Sequence, residues 1–159
     1  MGDTASKRVI AGLMKIDPEI RSSGFRKSLA ELSSSRYFLE AAGAFLPDGY
    51  LLDHDEARVL IYEVVDTHPI RPDKAACIAE LSDELDDIGW ELLVVTLDYT
   101  GHPTSELPGW AYMPAYTSMV APPNCLDMTP AARAVARARE GERPATPEEL
   151  LEAVRKLPF

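Results

Sequence analysis

The segment RVLIYEVV, which runs from Arg58 to Val65, decides how this 159-residue chain is expected to fold. Its β-branched and aromatic side chains alternate between two faces, and both faces are largely apolar, which predicts a central β-strand. Glu63 is the exception on one of these faces. A carboxylate inside such a strand must be desolvated, and a buried carboxylate usually has a partner or a function. Glu63 is therefore the first residue to which we assign a functional role.

The sequence on either side of this strand predicts a small mixed sheet. Residues 50–52 begin a strand, and the polar turn at residues 53–56 joins it to the central strand as a hairpin. After the central strand, Pro72 suits the first turn of a helix whose apolar residues recur at helical spacing as far as Gly89. Residues 90–97 form a second hydrophobic strand, which a turn at residues 98–101 closes. The order of strand, helix and strand implies a right-handed parallel unit with helices on both faces.

The remaining segments complete an α/β fold in which helices flank a small mixed central sheet. The sequence SLAE, which begins at Ser28, is a capping-box pattern and predicts a helix over residues 28–44. Nine of the thirteen prolines follow residue 100, so residues 102–128 have room only for loops or short edge strands. Thr129 and Thr146 each precede a proline and predict the starts of two C-terminal helices.

Length and composition favour one globular domain over residues 1–159. Hydrophobic residues make up 46% of the chain, which is enough for a core. We place that core at about residues 25–101, a proline-rich cover segment at 102–128 and the C-terminal helices at 129–159. No apolar run approaches the ~18 residues of a membrane span, and the apolar stretch after Arg8 is too short for a secretory signal, so we expect a cytoplasmic protein.

The net charge of −10 is concentrated in the middle of the chain. Residues 45–100 hold fourteen acidic and three basic side chains, whereas residues 1–44 carry +2 and residues 101–159 carry −1. Such a segment repels nucleic-acid phosphates unless cations intervene, yet clustered carboxylates are also what hard divalent cations bind. Most of these side chains are expected to form a solvated acidic surface.

A few residues of the predicted core follow a known arrangement. Pro47 and Asp48 stand just before the first strand of the hairpin, Glu63 lies in the central strand, and Lys74 lies in the first turn of the following helix. With this order of elements, the sequence over residues 28–101 resembles the PD-(D/E)XK superfamily of restriction-endonuclease-like nucleases. In that family a proline and an aspartate open one strand, and an acidic residue, any residue and a lysine follow on the next.

The resemblance implies a nuclease site that binds Mg²⁺ or Mn²⁺. Asp48 and Glu63 match the metal-binding carboxylates, and Glu40 on the preceding helix matches the further carboxylate that some members use. Val65 stands where the lysine of the family is expected. The resemblance therefore assigns the catalytic role of that lysine to Lys74, as in members whose following helix supplies it. In the family the metal polarises the scissile phosphate and lowers the pKa of the attacking water.

Basic residues for binding DNA are sparse in this acidic chain. Affinity for DNA comes largely from Lys and Arg side chains that neutralise phosphates. Arg133 and Arg137, spaced i,i+4 in a basic C-terminal segment, are the predicted nucleic-acid-binding residues, together with His68, which follows the central strand. This basic pattern permits DNA binding without requiring it.

Three functions remain open from the sequence, of which the third, a phage or prophage packaging or structural accessory, leaves no signature in the residues. The first is an Mg²⁺-dependent nuclease that hydrolyses DNA phosphodiester bonds. The second is a catalytically silent form of the same fold whose acidic surface binds a basic nucleic-acid-processing protein, as a phage- or prophage-encoded inhibitor or adaptor would. Val65 and the acidic middle of the chain favour this second function. The sequence contains no GxSxG elbow, Walker loop or GxGxxG motif, which argues against a serine hydrolase and against these nucleotide-binding sites.

Overall fold

The computed structural model describes residues 2–65, 70–99, 110–114 and 145–156, and it describes the side chains of these residues except at 2–5 and 110–114. The helices are α1 (Gly2–Ile16), α2 (Phe25–Leu29), α3 (Arg36–Gly43), α4 (Pro72–Asp87) and α5 (Pro147–Arg155). The strands are β1 (Gly49–Asp53), β2 (Arg58–Val65), β3 (Glu91–Asp98) and β4 (Trp110–Pro114).

The four strands form one mixed sheet in the order β1-β2-β3-β4. β1 and β2 form an antiparallel hairpin, in which Gly49 pairs with Tyr62. β2 and β3 are parallel, with α4 between them in sequence, and Glu63 pairs with Thr96. β4 adds a second parallel pair at the edge of the sheet. The predicted hairpin, the central position of β2 and the parallel connection through α4 are therefore confirmed.

Each face of the sheet carries its own hydrophobic core, because side chains alternate along every strand. On one face, α2, α3 and α4 cover the odd-numbered apolar residues of β2 and the even-numbered ones of β3. On the other face, α1 and α5 cover Leu60 and Tyr62 of β2 and the odd-numbered residues of β3. β2 and β3 are thus buried on both sides, which is why they read as almost continuous hydrophobic runs. Glu63 belongs to the face covered by α4.

The predicted helix over residues 28–44 is wrong, because the segment forms two short helices with a break between them. α2 ends at Leu29, and α3 begins at Arg36. In the break, Ser33 Oγ accepts a hydrogen bond from Ser35 N at 3.1 Å. Serine side chains compete for backbone groups in this way, and a run of three serines favours interruption of a helix. Ser28 does not cap a helix, since its hydroxyl lies 2.8 Å from the hydroxyl of Tyr50.

Helix α1 has no counterpart among the predicted elements, and it extends the core beyond residues 25–101. Ile10 and Leu13 are each only 1% exposed and pack under the sheet. α5 packs close to α1, as the space at Gly12 of α1 shows. A Cβ atom at this glycine would lie 2.8 Å from the ring of Pro147, the first residue of α5. α5 itself begins as predicted, with a capping box in which Thr146 Oγ1 accepts from the backbone N–H three residues later.

Several predicted segments fall outside the described residues. β4 is a short edge strand within the proline-rich segment, as the sequence allows, while the rest of residues 102–128 and the helix predicted from Thr129 are not described. Within the described ranges, no helix combines the length and the apolar character that crossing a membrane requires.

Candidate active site

Asp48 lies at the open end of the hairpin, one residue before β1. It is half-buried, between the buried residues Pro47 and Gly49. Gly49 allows α1 to approach closely, because a Cβ at this position would lie 2.9 Å from Cδ1 of Ile10. The sequence Pro-Asp-Gly therefore serves two purposes here: it starts the strand, and it leaves room for α1 beside the carboxylate.

The hairpin register brings Asp48 beside Glu63. Gly49 pairs with Tyr62, so the residue before Gly49 comes next to the residue after Tyr62. Asp48 N donates a hydrogen bond to Glu63 Oε2 at 3.2 Å, and Val64 N donates to Asp48 Oδ2 at 2.8 Å. Each carboxylate thus accepts a hydrogen bond from the backbone of the segment that carries the other acid. Asp48 and Glu63 do converge, as the sequence predicts.

Lys74 completes this cluster from the first turn of α4. Its Nζ lies 2.6 Å from Glu63 Oε1, as an ion pair that lacks the alignment of a good hydrogen bond. The side chain of Glu63 is 2% exposed, whereas that of Lys74 is 27% exposed. The lysine therefore contacts the buried carboxylate and retains access to solvent.

The environment of Glu63 shifts its ionisation towards neutral pH. Burial, which disfavours the charged carboxylate, raises the pKa of Glu63 from 4.5 to about 7. The positive charge of Lys74 opposes this rise, and the negative charge of Asp48 adds to it. Glu63 is thus a carboxyl group whose charge changes close to physiological pH, which is typical of catalytic and ligand-binding sites.

A groove of about 480 Å³ opens beside Asp48 and Lys74. One wall is α1, and the other is the turn that leads into β1. The groove contains a second ammonium group, that of Lys7, which the sequence pattern does not single out. The lining residues are Ser6, Lys7, Ile10, Ala11, Met14, Ser22, Leu46, Pro47, Asp48 and Lys74.

The two carboxylates fit a hard divalent cation in their chemistry, although they form a small donor set. Within the described ranges, no group of three or more His, Cys, Asp and Glu side chains is placed to hold a metal ion. Mg²⁺ is often bound by only one or two carboxylates, with water and substrate phosphates as the other ligands. Among the described residues, none donates a hydrogen bond to Asp48 Oδ1, so this oxygen remains for a cation. Asp48 and Glu63 are the residues that would hold it.

Glu40 does not join this cluster. Its carboxylate forms an exposed ion pair with Arg36, at 3.0 Å along α3. It lines a separate acidic depression between α3 and α4, together with Glu80 and Asp83. We therefore do not assign Glu40 as a third metal ligand. The predicted nucleic-acid-binding residues His68, Arg133 and Arg137 lie outside the described residues.

Asp98 is a buried acid that the sequence interpretation places in a turn after β3. It is instead the last residue of that strand, fully buried and paired in register with Val65. Paired residues of parallel strands face the same side of the sheet, so Asp98 lies on the face that carries Glu63. The signal in the sequence is an acid that directly continues a hydrophobic strand, as Glu63 interrupts one.

Comparison of the chain with protein-family models, with curated proteins and with solved structures gives no match. Any function of this chain is therefore inferred from the residues of its site.

Proposed function

We propose that this protein is an Mg²⁺-dependent phosphodiesterase that hydrolyses DNA, with its site at Asp48, Glu63 and Lys74. The observation that carries the proposal is that two acids fifteen positions apart meet beside a lysine at a groove. The PD-(D/E)XK resemblance supplies the reaction class.

Each residue has a distinct task in this proposal. Mg²⁺ bound by Asp48 and Glu63 would stabilise charge on the phosphate and lower the pKa of the attacking water. Asp48 is held for this by the N–H of Val64, which fixes one oxygen and leaves the other for the cation. Lys74 presents its ammonium group to the groove, where it binds a phosphate oxygen and stabilises the negative charge that develops there. The P–O ester bond breaks as the water oxygen bonds to phosphorus.

Glu63 sets the pH range of the reaction. Because burial raises the pKa of Glu63 to about 7, the carboxylate becomes fully available to a cation only above neutral pH. Metal binding and hydrolysis are therefore expected to increase as the pH rises through 7.

Nicking of supercoiled plasmid and cleavage of single-stranded circular DNA test the proposal. The full chain with Mg²⁺ or Mn²⁺ is compared with Asp48→Asn, Glu63→Gln and Lys74→Met. Each change removes one charged group of the site, so we expect losses on the order of 10²-fold or more. Glu40→Gln is the matched control, since it removes an exposed carboxylate away from the cluster. Circular dichroism shows whether each variant remains folded.

The proposal fails if the pure protein neither binds Mn²⁺ nor nicks either DNA between pH 7 and 9. It also fails if activity survives in both Asp48→Asn and Glu63→Gln, because a contaminating nuclease would then explain it.

A second function is favoured by the completeness of the cluster. Glu63 receives a hydrogen bond at one oxygen and an ion pair at the other, which is sufficient for a purely structural role. In that case the acidic depression of Glu40, Glu80 and Asp83 is the functional surface, and a basic nucleic-acid-processing protein is its partner. A purified basic partner whose affinity falls in Glu80→Lys and is unchanged in Asp48→Asn would favour this function over hydrolysis.

A further inference from the structure

The groove beside the proposed site has two chemically different parts. Ser6 and Lys7 lie on the wall formed by α1, and Met14 lies two turns farther on, roughly 10 Å along the helix axis. Met14, Ala11 and Leu46 give the groove an apolar section, and the side chain of Leu46 is unusually open to solvent, at 80% exposure. The groove therefore offers charged groups and an apolar surface to one ligand.

The two lysines of the groove are unusual for this acidic chain. Residues 45–100, which build much of the structure, carry fourteen acidic and three basic side chains. Lys7 and Lys74 nevertheless line the same groove, from different helices. Among the described residues, none forms an ion pair with the ammonium of Lys7, which is exposed. Two ammonium groups that line one groove suit a phosphate group.

The size and walls of the groove favour an unpaired nucleotide over a duplex. A volume of about 480 Å³ is within the range of small-ligand sites. Duplex binding relies on many phosphate contacts along a basic surface, and this groove supplies two lysines within a chain of net charge −10. An apolar wall binds the face of a base only when that base is unstacked, as in a single strand.

We infer that this groove binds one unpaired nucleotide of a single strand, with its phosphate between Lys7 and Lys74 and its base against Met14 and Leu46. The inference deepens the proposed function, on which the choice of a nucleic-acid ligand rests. It names single-stranded nucleic acid as the substrate class, and it adds Lys7 as a phosphate-binding residue. Binding of a strand in this groove does not require the protein to cleave it.

Fluorescence anisotropy of the full chain with a labelled oligothymidylate tests the inference in EDTA, where a metal-dependent reaction cannot occur. A labelled hairpin duplex of similar length is the comparison probe. We expect tighter binding of the single strand than of the duplex. Lys7→Gln should weaken binding and reduce the slope of log K against log salt by about 0.7, the value for one phosphate contact on a single strand. Leu46→Asn should weaken binding with little change of that slope, because it removes apolar surface without adding charge.

Arg8→Gln is the matched control, because Arg8 is an exposed cation on the same helix that does not line the groove. It should leave both the affinity and the salt slope unchanged. Unlabelled thymidine monophosphate and inorganic phosphate serve as competitors. Thymidine monophosphate should displace the strand, because it carries both the phosphate and the base of one nucleotide, and inorganic phosphate should compete more weakly because it lacks the base.

Several results overturn the inference. These are equal or tighter binding of the duplex, equal effects of Lys7→Gln and Arg8→Gln, or failure of thymidine monophosphate to displace the strand at saturating excess. The proposed function fails separately: single-strand binding without nicking in Mg²⁺ removes hydrolysis alone, whereas nicking of duplex without single-strand binding removes this inference alone.

Discussion

Replacing Glu63 by Gln should abolish a specific pH dependence of the free energy of unfolding. The glutamine keeps the shape of the side chain and its hydrogen bond from Asp48 N, but it carries no charge at any pH. The wild-type carboxyl group is almost fully buried, and burial raises its pKa from 4.5 to about 7. The variant therefore isolates the free energy that depends on the protonation of this one group.

The direction follows from which state holds the proton more tightly. Since the pKa of Glu63 is higher in the folded protein, the folded state binds this proton more strongly than the unfolded state does. The stabilising contribution is complete below pH 4.5, and it is lost as the pH rises through about 7. The separation between the two pKa values corresponds to about 3 kcal/mol of unfolding free energy.

Urea denaturation at a series of pH values between 4 and 8 measures this effect. The wild-type protein should lose about 3 kcal/mol more than Glu63→Gln across that interval, and the other titrating groups cancel in the difference. Glu40→Gln, an exposed carboxylate, should follow the wild type. If the wild-type and Glu63→Gln curves run parallel, the burial of a titrating carboxyl group at this position is refuted.

Three further substitutions test packing and capping, each as a change in the free energy of unfolding in urea. Gly49→Ala should cost about 1–3 kcal/mol, because its Cβ would lie 2.9 Å from Cδ1 of Ile10. Tyr50→Phe should cost about 1–2 kcal/mol, because the hydroxyl of this buried tyrosine donates to Ser23 O at 2.7 Å. Thr146→Ala should cost about 1 kcal/mol, because it removes the side-chain cap of α5.

Each of these changes has a reference substitution. Gly43→Ala meets only the flexible side chain of Arg26, so it should be close to neutral. Thr146→Ser retains the capping oxygen and should recover most of the stability of α5. A Gly49→Ala variant as stable as Gly43→Ala would contradict the close approach of α1 to β1. An unchanged stability of Tyr50→Phe would show that water replaces the lost hydroxyl.

The sheet was predictable because its strands carry strong local signals. Residues 59–65 and 92–97 are almost continuous apolar runs, and a run buried on both faces has few other interpretations. Pro72 and Gly89 mark the ends of the helical segment, where a proline suits the first turn and Gly89 adopts a positive φ of 80°. These signals are local, so one sequence suffices to read them.

The elements that were missed depend on contacts between distant residues. α1 has only a brief apolar stripe, and its helix is stabilised by burial of Ile10 and Leu13 under the sheet, which the sequence does not reveal. The break within residues 28–44 was missed for a local reason instead: the capping-box pattern competes with three consecutive serines, and the serines interrupt the helix.

The site was predictable only in part, because some of its residues carry a local signal and others come together only in the folded chain. An acid within an apolar strand drew attention to Glu63, and the register of the hairpin then located Asp48. Lys7 could not be identified, because nothing in the sequence pattern indicates that α1 lies beside the open end of the β1–β2 hairpin. Asp98 was assigned to a turn because it begins the sequence Asp-Tyr-Thr-Gly, and aspartate and glycine are typical turn residues.

The reciprocal backbone bonds between Asp48 and β2 also limit how the gene can change in length. β2 is fixed by its pairing with β3, so a single codon inserted or deleted in the loop between β1 and β2 without a bulge would shift the edge strand β1 by one residue and move Asp48 away from Glu63. Two codons would restore the face of β1 while displacing Asp48 along the strand. Libraries that vary this loop should therefore retain the site only at its present length or with a bulge that absorbs the added residue.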